Sequence, residues 1–203
     1  VKPILNAKIQ QILQYPSEIL SICTSLQSAS MSTIYIKGVT LGKEIKDILI
    51  EGNKIAAIED RLDSIPCNCR TIDGTSKAVF PGFVNMHTHS AMTLTRGYKE
   101  DTSLQEWLQE IWKVEAKMDE EAIYWGTKLA CLEMIKTGTT SFYDQYWMID
   151  SAVKAVEEMG IRGWHACVAL NLKDESRSQA IKEEIIAAYE RNQKWNERCK
   201  MSV

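Results

Sequence analysis

The chain has 203 residues, 45% of them apolar and 25% charged, with a formal net charge of −3. That composition supports a globular core and excludes a disordered chain. The weak negative charge gives no electrostatic reason to expect nucleic acid or an anionic membrane surface as partner, so a small-molecule partner is expected.

Six cysteines (Cys23, Cys67, Cys69, Cys131, Cys167 and Cys199) are scattered without a framework spacing. Cys67-Asn68-Cys69 lacks a second pair and sits in a polar connector, which argues against a zinc site there. The opening residues do not read as a secretory signal, and no apolar run reaches the roughly 18 residues of a membrane-spanning helix. A soluble protein in a reducing, cytoplasmic setting is expected.

Residues 1–30 are polar and Ser/Gln-rich, with Ile4, Ile9, Ile12, Leu13, Ile19, Leu20 and Ile22 in weak helical spacing. Either this is a short amphipathic helix or an extension upstream of a natural start at Met31. The extension is preferred, because Ser28-Ala29-Ser30-Met31 reads as a junction without structural logic. Residues 31–80 then carry strand signals: Ile34–Ile36, Asp47–Glu51, Lys54–Ile58, Arg70–Ile72 and Ala78–Phe80, with Gly52-Asn53 as a tight hairpin turn. A small antiparallel β unit follows, with too few strands to enclose a core unaided.

The pattern changes at residue 81. Pro81-Gly82 leads an apolar run into His87-Thr88-His89, and helices then alternate with strands. Ser103 and Glu106 form a capping box for a helix whose stripe is Leu104, Trp107, Leu108 and Ile111, extended by Glu115. A second helix runs from about Asp119 to Thr137, with Ile123, Gly126, Leu129, Ala130, Glu133 and Met134 on one face and Gly138 as its stop. A strand at Thr139–Tyr143 precedes a helix capped by Asp150 and Ser151. Arg162–Leu170 is a strand, Ser176 with Gln179 opens another helix, and Lys200–Val203 begins one more strand. Alternation of this kind is the pattern of a parallel α/β domain.

Chemistry concentrates at the histidine pair. A strand projects alternate side chains to one face, so His87 and His89 point the same way, at a spacing that lets two imidazoles share one metal ion. An ordinary pair of polar residues at a strand end is the alternative. The remaining histidine, His165, reads as a core or strand-face residue bonded to the backbone. Glu115 is a carboxylate on an otherwise apolar stripe; on pattern alone it is either a functional group or a helix-end glutamate in solvent.

The stretch Pro-Gly-Phe-Val-Asn-Met-His-Thr-His-Ser-Ala-Met-Thr-Leu-Thr-Arg-Gly (81–97), followed by Leu104-Gln105-Glu106-Trp107-Leu108 and Trp112–Lys117, resembles the amidohydrolase superfamily. Within it the resemblance is to the methylthioadenosine/S-adenosylhomocysteine deaminases and triazine chlorohydrolases. Gly138-Thr139-Thr140 with Phe142 and Asp144 is similar to the second barrel strand of that branch.

The resemblance implies an α/β fold, the N-terminal portion of a (β/α)8 barrel over 81–203, with 31–80 forming part of a small β-sandwich domain. It implies one divalent metal ion, Zn2+ or else Fe2+, held by His87, His89 and later residues. Glu115 would bind ribose hydroxyls of an adenosine-like or aminopurine substrate undergoing hydrolytic deamination. Cys167 stands where relatives acting on S-adenosylhomocysteine place an arginine for the substrate carboxylate, and Arg177 is the nearby substitute. The catalytic groups and remaining ligands are expected beyond Val203, so the chain alone should be inactive, while the full-length parent could be a homo-oligomer. The competing expectations are chlorotriazine-like or other ring hydrolysis, and a non-catalytic truncated fragment or partner-dependent domain.

Overall fold

The computed structural model describes residues 33–170 and 174–202. The extension read over 1–30 lies outside them. The described chain divides into two compact units, one ending at Pro81 and the other beginning at Gly82.

The first unit is a five-stranded sheet. Strands β1 (Thr33–Leu41), β2 (Glu44–Glu51) and β3 (Lys54–Glu59) form an antiparallel meander, and β4 (Cys69–Asp73) and β5 (Ala78–Val79) both pair with β1. Both of these pairings are parallel, which corrects the all-antiparallel expectation. The polar connector after β3 carries no tight-turn signal, so the chain travels back to the start of β1 before pairing. The Gly52-Asn53 turn forms as expected, with Glu51 opposite Lys54. A second turn, at Gly42-Lys43, joins β1 to β2 with Gly42 at φ 65°, where glycine avoids the Cβ clash.

Asp47 organises this sheet. The β1–β2 register shifts between Ile36 and Val39, at Gly38. The shift turns the Gly38 N–H onto Asp47 Oδ1 at 2.8 Å. Tyr35 donates its hydroxyl to Oδ2 at 2.6 Å, and Leu62 N–H donates to the same oxygen at 3.1 Å. Burial pushes the Asp47 carboxyl up, but these three donors outweigh it and hold it below the usual carboxylate range. Because the folded value is depressed, the stabilisation is present above the ordinary carboxylate range and is lost as pH falls through the folded value. Asp47→Ala strands three donors and should cost about 2–4 kcal/mol in denaturant unfolding. Acid titration of wild-type stability below pH ~4 should show a loss that the variant lacks; a variant as stable as wild type would contradict this role.

The second unit holds four parallel strands in the order β6 (Phe83–Thr88), β7 (Thr139–Tyr146), β8 (Arg162–Cys167) and β9 (Cys199–Met201). A 3-10 helix (Ser90–Thr95), α1 (Leu104–Glu115) and α2 (Glu120–Lys136) connect β6 to β7. Helix α3 (Ile149–Met159) connects β7 to β8, and α4 (Ser176–Asn192) connects β8 to β9. Alternating helices and parallel strands are what the sequence pattern predicts.

Local signals fix most boundaries. Ser103 and Glu106 make the expected capping box on α1, and Asp119 caps α2 by accepting from Ala122 N–H at 3.0 Å. Two helix starts differ. Helix α3 begins at Ile149 behind Met148, which sits in left-handed backbone at φ 50°, so Asp150 and Ser151 lie inside the first turn. Helix α4 opens without the Ser176–Gln179 cap, because Ser176 gives its N–H and hydroxyl to Asp174 instead.

Alternation along β7 decides where the core sits. Phe142, Asp144 and Tyr146 are buried on the helix-covered face. On the opposite face Val84 and Trp164 remain 57% and 39% exposed. Helix α2 buries Ile123, Gly126 and Ala130 as expected, but also Thr127 and Cys131, while Glu133 turns outward to pair with Arg96 at 2.7 Å. The wider buried arc exists because α2 packs against the 3-10 helix and α3 as well as the sheet.

Gly126 is where α2 meets the 3-10 helix. A Cβ there would lie 2.5 Å from Ala91 O, and Gly126 O already accepts the Thr93 hydroxyl at 2.7 Å. Alanine would raise intrinsic helix stability by about 1 kcal/mol. Separating two packed backbones costs about 1–3 kcal/mol, and the obstacle is backbone rather than a flexible side chain, so the cost wins. Gly126→Ala should therefore lower the thermal midpoint, by up to about 8 °C; a higher midpoint would contradict the packing argument.

Candidate active site

His87 and His89 stand at the C-terminal end of β6, the end where parallel α/β sheets place their sites. His87 is exposed and His89 half-buried. Their rings lie edge to face with centroids 5.0 Å apart. His89 Nδ1 is 2.8 Å from Gln145 O on β7. A carbonyl only accepts, so Nδ1 carries the proton and Nε2 keeps a free lone pair.

This donor set fits a metal ion. Two imidazoles on one tetrahedral zinc, at Zn–N of about 2.0–2.1 Å, hold their centroids about 5 Å apart. The Nδ1–H···O=C bond is the usual means of fixing a ligating histidine's tautomer. Among the described residues no group of three or more His, Cys, Asp or Glu side chains is gathered to hold a metal. The described chain therefore offers two nitrogen donors, fewer than the three protein ligands of an ordinary catalytic zinc.

The pair is held from behind by a buried polar cluster. Ser90, directly after His89, gives its N–H to Asp144 Oδ1 at 2.7 Å and its hydroxyl to Oδ2 at 2.6 Å. Thr127 of α2 lies 3.0 Å from the same hydroxyl. Burial pushes the Asp144 carboxyl up against the opposing effect of these bonds and of His89. Both oxygens are engaged in positioning the end of β6.

Glu115, the last residue of α1, faces a cavity of about 350 Å³ lined by Trp112, Met118, Tyr146, Trp147, Leu170 and Arg177 among others. Tyr146 donates its hydroxyl to Glu115 Oε1 at 2.7 Å. Its ring lies 6.4 Å from that of His89. Burial pushes the Glu115 carboxyl up, opposed by the Tyr146 bond and by His89. The structure thus brings Glu115 into the neighbourhood of the histidine pair through one tyrosine. Arg177 lies on the wall of the same cavity, whereas Cys167, half-buried at the end of β8, is not among its lining residues.

His165 does not join the pair. It is buried on the helix-covered face, opposite Asp144 in the β7–β8 register and against Phe142 and Trp195. The expected backbone bond is absent: neither ring nitrogen has a hydrogen-bond partner among the described residues. Asp144 Oδ2 is 4.0 Å from Nδ1, and burial lowers the imidazole pKa to about 4, so the ring is neutral. Gly163 provides the room, since a Cβ there would lie 2.5 Å from His165 Nε2.

Tyr146, Ser90 and Thr127 carry no expectation from sequence. The period-two spacing Phe142-x-Asp144-x-Tyr146 on a strand is the signal that could have placed Tyr146 beside Asp144 on one buried face.

Comparison with known proteins gives a consistent identity. The amidohydrolase family model matches residues 78–198. A 5'-deoxyadenosine deaminase of Methanocaldococcus jannaschii is 46% identical over 147 residues, covering 72% of this chain and 35% of that protein. A 5-methylthioadenosine/S-adenosylhomocysteine deaminase of Archaeoglobus fulgidus is 48% identical over 134 residues, covering 66% of this chain and 29% of that protein. The chain thus spans about a third of the length of these curated relatives. Among solved structures, a zinc-bound adenosine deaminase from Xanthomonas campestris superposes with TM-score 0.70 at 26% identity, over 84% of this chain and 41% of that one. A triazine hydrolase from Arthobacter aurescens gives TM-score 0.67 at 20% identity, over 84% of this chain and 45% of that one, a likeness of fold alone. With the matched segment running through the histidine pair, Glu115 and strands β6 to β8, the chain belongs to the amidohydrolase family.

Proposed function

We propose that the whole protein hydrolytically deaminates an adenosine-type nucleoside, of the 5'-deoxyadenosine or methylthioadenosine class. The observation that carries this reading is the meeting, at one end of the parallel sheet, of a histidine pair fit for a metal with a carboxylate-bearing apolar cavity. The names of the relatives supply the substrate class.

In this reading His87 and His89 are two ligands of one divalent ion, zinc by analogy with the zinc-bound neighbour. Such an ion, when bound, supplies Lewis acidity that makes water a nucleophile near neutral pH. His89 is held in the tautomer that presents Nε2, and Asp144 through Ser90 keeps the end of β6 in register with β7. Trp112, Met118 and Trp147 present apolar surface to a flat base and its sugar, and 350 Å³ is within the usual range for small-molecule sites. Glu115 accepts from ribose hydroxyls, and for a substrate that carries an anionic substituent, as S-adenosylhomocysteine does, Arg177 on the cavity wall provides the cation that Cys167 cannot. Water oxygen bonds to the ring carbon that bears the amino group, and that C–N bond breaks with loss of ammonia.

The four parallel strands are read as the first units of a (β/α)8 barrel whose interior face is the bare one carrying Val84 and Trp164. Residues 33–80 are read as part of a separate small β domain. With two donors among the described residues, the 203-residue chain alone is proposed to be inactive.

Two outcomes check this. The 203-residue chain mixed with zinc should release no ammonia from methylthioadenosine above background; steady turnover would contradict its inactivity. In the whole protein His87→Ala or His89→Ala should reduce ammonia release from 5'-deoxyadenosine by roughly 10³-fold or more, with loss of bound metal by elemental assay. Retention of both activity and metal would sink the ligand assignment.

A further inference from the structure

We propose that Tyr146 is a positioning residue for substrate recognition: its hydroxyl orients Glu115 for ribose and so sets a preference for nucleosides carrying both the 2' and 3' hydroxyls. This rests on the reading of Glu115 as the hydroxyl acceptor. Glu115 is the last residue of α1, where a flexible side chain could equally turn outward. The phenol prevents that. Its O–H donates to Oε1 at 2.7 Å. Among the described residues the second carboxylate oxygen has no partner, which leaves it, with the spare lone pairs of the first, for the ligand.

The tyrosine can impose this orientation because it is itself fixed. It is 2% exposed and packs in a cluster with Ala91, Leu94, Met118 and Ile123. Its ring meets Trp147 edge-on at 5.1 Å and lies beside His89 at 6.4 Å. Strand β7 thus carries, two residues apart, the carboxylate that positions the segment after the histidine pair and the phenol that positions the ribose acceptor. One rigid strand sets the spacing between the reacting end of the site and its sugar end.

Tyr146→Phe keeps the ring and its packing and removes one oxygen, so the fold should be retained, as circular dichroism and a thermal melt can verify. The test uses the whole protein with metal. Titration calorimetry gives the affinity of 5'-deoxyinosine, the deamination product, and of its 2',3'-dideoxy analogue. Tyr146→Phe should weaken the diol ligand about tenfold, the size expected for a bond to a charged group, and leave the dideoxy ligand within roughly threefold. In steady state KM for 5'-deoxyadenosine should rise about tenfold while kcat changes far less, the pattern of lost ground-state binding. Glu115→Gln should show the same discrimination, and the double variant should add little to it. Equal weakening of both ligands by Tyr146→Phe, or of neither, overturns the proposal while leaving Glu115 in place. Failure of Glu115→Gln to discriminate overturns the reading of Glu115 itself, and the role of Tyr146 with it.

Discussion

The second unit depends on how one buried carboxylate is satisfied. Asp144 is 1% exposed, in the middle of a parallel sheet, where an unpaired charge would be strongly disfavoured. Its partners are the N–H and hydroxyl of Ser90, 54 residues earlier in the chain. Meeting that requirement fixes the place where β6 ends relative to β7, and hence the place from which His87 and His89 project. The β6–β7 register shifts between Asn85 and Thr88, just before these bonds form. The Gln145 carbonyl, next along β7, then falls within reach of His89 Nδ1. Tyr146, one residue further, reaches Glu115. Three consecutive residues of one strand therefore organise the histidines and the acceptor together.

The same economy appears in the first unit, built around Asp47. There too a buried carboxylate accepts from a hydroxyl and from backbone N–H groups, and there too it sits at a register shift. In the first unit the irregularity in the ladder turns the Gly38 N–H toward the carboxylate, whereas in the second the carboxylate takes the N–H of Ser90 just past the end of β6.

Much of the architecture was legible from the sequence because its signals are local. The capping box at Ser103 and Glu106, the start of α2 at about Asp119 and the Gly138 stop rest on short-range hydrogen-bond and backbone preferences, and they reappear within a residue or two. The His-x-His spacing and the carboxylate on the α1 stripe are local as well. What escaped depends on distant pairings. Whether β4 lies parallel or antiparallel to β1 is decided by the course of a connector with no strong turn residue. Asp144 needs Ser90, and Tyr146 needs Glu115, across 54 and 31 positions. The Asp150–Ser151 and Ser176–Gln179 caps were plausible local choices displaced by competitors: left-handed backbone at Met148 in one case and the side chain of Asp174 in the other. His165 shows the limit from the other side. A histidine beside a tryptophan on a strand gives no indication that both nitrogens will be buried without partners among the described residues.

Crystals of the zinc-loaded whole protein test most directly whether His87 and His89 share one metal ion. An anomalous difference map at the zinc edge should show a single peak about 2.0–2.1 Å from His89 Nε2 and from one nitrogen of His87, with His89 Nδ1 still bonded to the Gln145 carbonyl. A zinc peak bound elsewhere, or one touching only one of the two rings, would contradict a shared ion.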